Sequence, residues 1–61
     1  MSLSRKELEE AMIKTMEEIE QLSKEISATT DLRDKKKLKK KKKELKYLQF
    51  WQYYYYKNTY V

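Results

Sequence analysis

Sixty-one residues without a single glycine or proline leave this chain few ways to make a tight turn or to stop a helix. Glycine supplies the left-handed backbone that ends many helices, and proline removes the amide that would continue one. Their joint absence predicts long helices and few connections. A chain of this length buries only roughly 60% of the surface its unfolded form exposes, so one copy alone is marginally stable. Cysteine and histidine are also absent, which removes disulfides and leaves carboxylates as the only strong metal ligands. No metal and no cofactor are expected, and oligomerisation is the remaining way to bury more surface.

The first helix has a written start. Ser4-Arg5-Lys6-Glu7 fits a capping box, and Leu3 and Leu8 occupy the positions of a hydrophobic staple. Leu8, Met12, Thr15, Ile19, Leu22, Ile26 and Thr29 then recur in alternating steps of four and three, an a/d stripe sustained for three heptads. Ala11 and Met16 widen it. The stripe predicts a helix from about residue 5 to 28, and it cannot continue, because the same frame would next bury Arg33, Lys36, Lys40 and Lys43. Ser27-Ala28-Thr29-Thr30-Asp31 is the only run of small polar residues, and Thr30 or Asp31 can cap a second helix. In that helix Leu38, Leu45, Leu48, Gln52 and Tyr55 define a new frame with Trp51 beside it.

The expected architecture is therefore all-α: a two-helix antiparallel hairpin, turning at about residues 28–31 and helical again to about 57, that assembles into a dimeric four-helix bundle. Antiparallel neighbours have residue numbers of constant sum, here about 60. That sum sets Leu22 beside Leu38, Thr15 beside Leu45, Met12 beside Leu48 and Leu8 beside Gln52. It also sets Glu17, Glu18, Glu20 and Glu25 level with Lys43, Lys42, Lys40 and Lys35, and Ile19 level with Lys41, which would have to snorkel along the interface.

Charge divides the chain in the same place. Residues 1–31 carry 4 basic and 8 acidic side chains, whereas residues 32–61 carry 11 basic and 2 acidic, which together give the net +5. A lysine-rich helix repels itself by a few tenths of a kcal/mol for each like pair one turn apart. The expectation is that the glutamates of the first helix hold the lysines of the second.

Two features remain for a partner. Lys35, Lys36, Lys37, Lys39, Lys40, Lys41, Lys42 and Lys43 form a basic patch able to neutralise phosphates. No arginine interrupts that run, so any nucleic-acid binding through it is expected to be non-specific. All the aromatic residues fall between Tyr47 and Tyr60, and they occur on every side of a helix. Residues 53–61 also have strand-forming composition, which keeps a strand open as an alternative there. Candidate core or oligomer-interface residues are Leu8, Met12, Ile19, Leu22, Ile26, Leu38, Leu45, Leu48, Trp51 and Tyr55.

The leading functional expectation is a non-enzymatic helical interaction or self-assembly module, whose partner is a further copy or another helical protein. The rivals are non-specific nucleic-acid binding through the lysines and peripheral contact with an anionic membrane surface through the lysines and the aromatic cluster. No catalytic constellation is present: there is no histidine or cysteine, no glycine-rich phosphate loop, and neighbouring glutamates point in different directions from a helix. No apolar run of about 20 residues exists, and the first residues lack the apolar segment of a secretory signal. The expected location is cytoplasmic or nuclear, not secreted.

Overall fold

In the computed structural model, which describes residues 4–60, Arg5–Ala28 forms helix α1 and Leu32–Tyr60 forms helix α2. The two pack against each other as a hairpin. α1 opens on Ser4, whose extended backbone (φ −69°, ψ 161°) turns its side chain onto the first turn. The Glu7 amide donates to Ser4 Oγ at 3.2 Å, and the Ser4 hydroxyl donates to the Glu7 carboxylate at 3.1 Å. This satisfies one of the amides that a helix start leaves without a partner. Leu3, the outer half of the expected staple, lies outside the described residues.

The connection needs no left-handed residue, which explains how a chain without glycine turns at all. Among the described residues none has positive φ. α1 ends instead at Thr29, which leaves the helix through extended backbone (φ −89°, ψ 126°), its amide donating to the Ile26 carbonyl at 3.3 Å. The Thr29 hydroxyl donates to the Glu25 carbonyl at 2.6 Å, occupying one of the last free carbonyls. Two residues later Asp31 starts α2. Its carboxylate accepts from the Arg33 amide at 2.8 Å and the Asp34 amide at 3.3 Å, while its carbonyl accepts the helical bond from Lys35 at 2.9 Å. α2 then runs unbroken to Tyr60. It passes the expected end near 57, and Tyr53 to Tyr60 is helix rather than strand, because α1 packs along the same helix and nothing in the segment breaks it.

The core is small. Leu8 and Leu22 are 3% and 6% exposed, and between them Thr15 is buried with its hydroxyl donating to the Ala11 carbonyl at 2.9 Å. Met12, Ile19 and Ile26 are half-buried beside them. On α2 no residue is fully buried. Its half-buried residues are Lys35, Leu38, Lys42, Leu45, Gln49, Gln52, Tyr56 and Tyr60, mostly in steps of three and four. This is the inward line of the helix, and it is half polar.

That line differs from the expected frame by one position. Leu38, Leu45 and Gln52, seven residues apart, face inward in both, but the positions between and after them are Lys42, Gln49 and Tyr56 rather than Lys41, Leu48 and Tyr55. Leu48 sits about 100° round the helix from Gln49 and is 47% exposed, with Trp51 and Tyr55 at 50% and 41%. Likewise Lys42, not Lys41, is the lysine whose stem lies along the seam.

Gln52 is the weakest point of the seam: its Oε1 is buried and accepts no hydrogen bond. A buried, unsatisfied acceptor costs roughly 1–3 kcal/mol. Replacing it by an apolar side chain of similar length, Gln52→Leu, is therefore expected to stabilise the hairpin by about 1 kcal/mol or more. Urea unfolding followed by circular dichroism measures this as a raised midpoint.

Candidate functional site

The open end of the hairpin is held by one polar cluster. Arg5 Nε donates to Glu9 Oε1 at 3.0 Å and to the Tyr56 hydroxyl oxygen at 3.2 Å, and that hydroxyl donates to Glu9 Oε1 at 3.2 Å. The Arg5 guanidinium carbon also lies 5.8 Å from the Tyr56 ring centroid, within cation–π range. Tyr56 and then Glu9 hold the Arg5 pKa above its ordinary value. Tyr56 thereby ties the end of α2 to the start of α1, close to the level that a residue-number sum near 60 gives. The cluster is exposed, so its contribution is orientation more than stability.

Arg5–Glu9 is the only ion pair among the described residues. The expected cross-helix pairing of Glu17, Glu18, Glu20 and Glu25 with Lys43, Lys42, Lys40 and Lys35 does not form. Helix rotation explains why. A residue-number sum fixes the level of two residues along the hairpin but not their direction around each helix. Glu17 and Glu20 lie about 140–160° from Thr15, and Lys40 and Lys43 about as far from Leu45, so both sets point away from the seam. Glu18 and Glu25 flank the seam on the opposite face from Lys42 and Lys35.

The lysines consequently line open surface. Arg33, Lys36, Lys37, Lys39, Lys40 and Lys43 surround a cleft of about 630 Å³ on the outer side of α2 near the turn. Lys41 is exposed as well, whereas Lys35 and Lys42 are half-buried. On one flank Lys39, Lys42, Lys43 and Lys46 approach Ile26 of α1.

Toward the open end the same flank becomes apolar. Met12, Ile13 and Met16 of α1 face Lys46, Gln49, Phe50 and Tyr53 of α2 across an open groove of about 430 Å³. Ile13 was not among the sequence candidates. It falls outside the a/d frame, and its signal is the three-residue step to Met16, which makes a second, shorter apolar line beside the first.

Four aromatics, Phe50 of the groove among them, form a connected outer surface. Tyr47 and Trp51 meet edge-to-face with ring centroids 6.3 Å apart, Trp51 and Tyr54 at 5.9 Å, and Phe50 and Trp51 at 5.8 Å. Phe50 and Tyr54 stack at 6.3 Å with planes 23° apart. All four are exposed. Of the ten core or interface candidates, Leu8 and Leu22 are buried, Met12, Ile19, Ile26, Leu38 and Leu45 are half-buried, and Leu48, Trp51 and Tyr55 face solvent.

Among the described residues no group of three or more carboxylates is placed to hold a metal ion. No described helix is long and apolar enough to cross a membrane. Comparison with protein-family profiles, curated proteins and solved structures returns no match to this chain.

Unpaired lysines predict a particular response to salt. Lys35–Lys39, Lys36–Lys40, Lys37–Lys41, Lys39–Lys43 and Lys42–Lys46 are like-charge pairs one turn apart, each destabilising by roughly 0.2–0.5 kcal/mol at low salt. Screening them is expected to raise the melting temperature between about 20 mM and 500 mM sodium chloride. A hairpin held by cross-helix ion pairs would lose stability over the same range, and circular dichroism melts distinguish the two.

Proposed function

We propose that this chain is a helical self-assembly module, in which the groove of Met12, Ile13, Met16, Phe50 and Tyr53 docks against the same groove of a second copy to complete a four-helix core. One observation carries the reading: α2 turns a half-polar line toward α1 and its larger apolar residues outward. Lys42, Gln49 and Gln52 of α2 face the seam, while its Leu48, Phe50, Trp51 and Tyr53 are exposed, as are Ile13 and Met16 of α1. Isolated exposed apolar residues are ordinary, but a contiguous exposed patch marks an interaction site.

Surface area supports a second copy as the occupant. The chain has 5429 Å² of accessible surface for a mass of 7.6 kDa. A compact monomer of that mass exposes about 4,300 Å². The excess of roughly 1,100 Å² exceeds the about 800 Å² per partner that a standard interface removes. With no cysteine to cross-link, a second copy supplies the missing burial wherever the chain is made.

Charge favours one orientation. A two-fold axis along the hairpin would bring two lysine-rich turn ends together. A two-fold axis perpendicular to it sets each basic end near the beginning of the other copy's α1, where Glu7, Glu9 and Glu10 lie. Such an isologous arrangement is closed and needs no third copy.

Light scattering coupled to size exclusion at micromolar concentration is expected to return a dimer. Ile13→Glu together with Phe50→Glu is expected to shift it to monomer and to lower helicity, since each buries a charge in the groove. Zero-length carbodiimide cross-linking should join Lys39 or Lys43 of one copy to Glu9 of the other. A folded, helical monomer of the unaltered chain at that concentration overturns the reading.

A further inference from the structure

We infer that the outward line of α2 formed by Lys36, Lys40, Lys43, Tyr47, Trp51 and Tyr54 binds single-stranded nucleic acid without sequence preference. These residues recur in steps of four and three, so they form one line on the side of α2 away from α1. From Lys36 to Tyr54 the line is about 27 Å long. The line borders the groove of the proposed self-assembly, where Phe50 stacks on Tyr54, and it is complete on a single hairpin, so the inference does not rest on that reading.

The two halves of the line supply the two interactions that a single strand offers. In the basic half, Lys36, Lys40 and Lys43 are exposed, with Arg33, Lys37 and Lys39 around the same cleft. None of the lysines has an ion-pair partner among the described residues, so phosphates meet no internal competitor. Adjacent lysines on the line are about 5–6 Å apart, a spacing that follows one backbone strand. In the aromatic half, Tyr47, Trp51 and Tyr54 meet edge-to-face. These contacts use the edge of one ring and the face of the other, and Phe50 stacks on Tyr54, but Tyr47, Trp51 and Tyr54 are each exposed by half or more, which leaves a second face for a base to stack on. Stacking is indifferent to base identity, and the lysines carry no base-edge reading.

The alternatives fit less of the line. A duplex keeps its bases stacked on each other and gives the aromatic half nothing to hold. A helix lying in a membrane interface needs one apolar face along its length. α2 instead is basic for its first half and aromatic on several sides in its second, with tyrosine hydroxyls distributed round it.

The full chain is titrated with a single-stranded oligothymidylate of about 15 nucleotides, a duplex of equal length, heparin, and phosphatidylserine-containing vesicles. Binding is read by ligand anisotropy and by the emission of Trp51, the single tryptophan. Expected are quenching of Trp51 by the single strand alone and an affinity that falls with salt. Tyr47→Ala with Tyr54→Ala should weaken single-strand binding fivefold or more and leave heparin binding unchanged. Lys40→Gln with Lys43→Gln should weaken both, and reduce the salt slope for the single strand by about 1.4. Circular dichroism of each variant confirms that the comparison is between folded chains, and the unaltered chain alone already separates single strand from heparin. Equal affinity for single strand, duplex and heparin without quenching overturns the inference in favour of a general polyanion surface. Binding to vesicles with a blue-shifted Trp51, and none to the oligonucleotide, overturns it in favour of a membrane.

Discussion

The rotational setting of α2 about its own axis governs the rest of the molecule. Leu38, Leu45 and Gln52 lie on its inward line in either of two settings, and the one adopted brings Lys42, Gln49 and Tyr56 in between them rather than Lys41, Leu48 and Tyr55. Every other property follows from that choice. Tyr56 reaches Arg5 and Glu9, Gln52 is left with a buried carbonyl oxygen, Lys42 lies along the interface, and the bulkiest apolar side chains are turned out. A modest turn of the helix to bring Leu48 inward would keep Leu38 and Leu45 near α1 but would swing Tyr56 away from Arg5 and Glu9.

The small core and the exposed aromatics are therefore one fact seen from two sides. A hairpin presents each helix with a single neighbour, so at most one stripe of α2 can be covered. α1 carries one apolar stripe and a largely charged remainder, which suits such a place. α2 carries apolar or aromatic side chains on several sides of its second half, and one neighbouring helix leaves most of them uncovered. The seam is held by leucines at Leu8, Leu22, Leu38 and Leu45, and by a threonine whose hydroxyl is satisfied within its own helix. That is sufficient to define the pairing but adds little burial, and it makes the folded state responsive to anything that binds it.

How far the sequence disclosed this differs between the two helices. The Ser4 cap, the heptad stripe of α1 and the turn between two helices were all readable, because each rests on local chemistry: a hydroxyl before a helix, apolar residues at one period, a polar run at its end. The inward line of α2 was legible in part: Leu38, Leu45 and Gln52 belong to it, but hydrophobicity favours Leu48 over Gln49 between them. Both choices keep Leu38 and Leu45 against α1, so the sequence does not separate them. The charge pattern misled for a related reason. Acidic and basic residues matched in level along the hairpin, but level says nothing of direction, and most of the matched side chains point away from each other. The groove residue Ile13 was hidden because it stands outside the frame used to read α1.

Unpaired lysines connect the two proposed surfaces energetically. Like charges along α2 oppose its own helix, so whatever neutralises them favours the folded hairpin, and the folded hairpin is what presents the groove of Met12, Ile13, Met16, Phe50 and Tyr53. Conversely, a second copy seated in that groove holds α2 helical and keeps Lys36, Lys40 and Lys43 in one line with Tyr47, Trp51 and Tyr54. A polyanion and a second copy would each reduce the cost of ordering that the other has to meet, while competing for Lys39 and Lys43, and the net coupling acts on both by the same factor. The coupling needs no conformational switch. It follows from one marginally stable helix serving both surfaces.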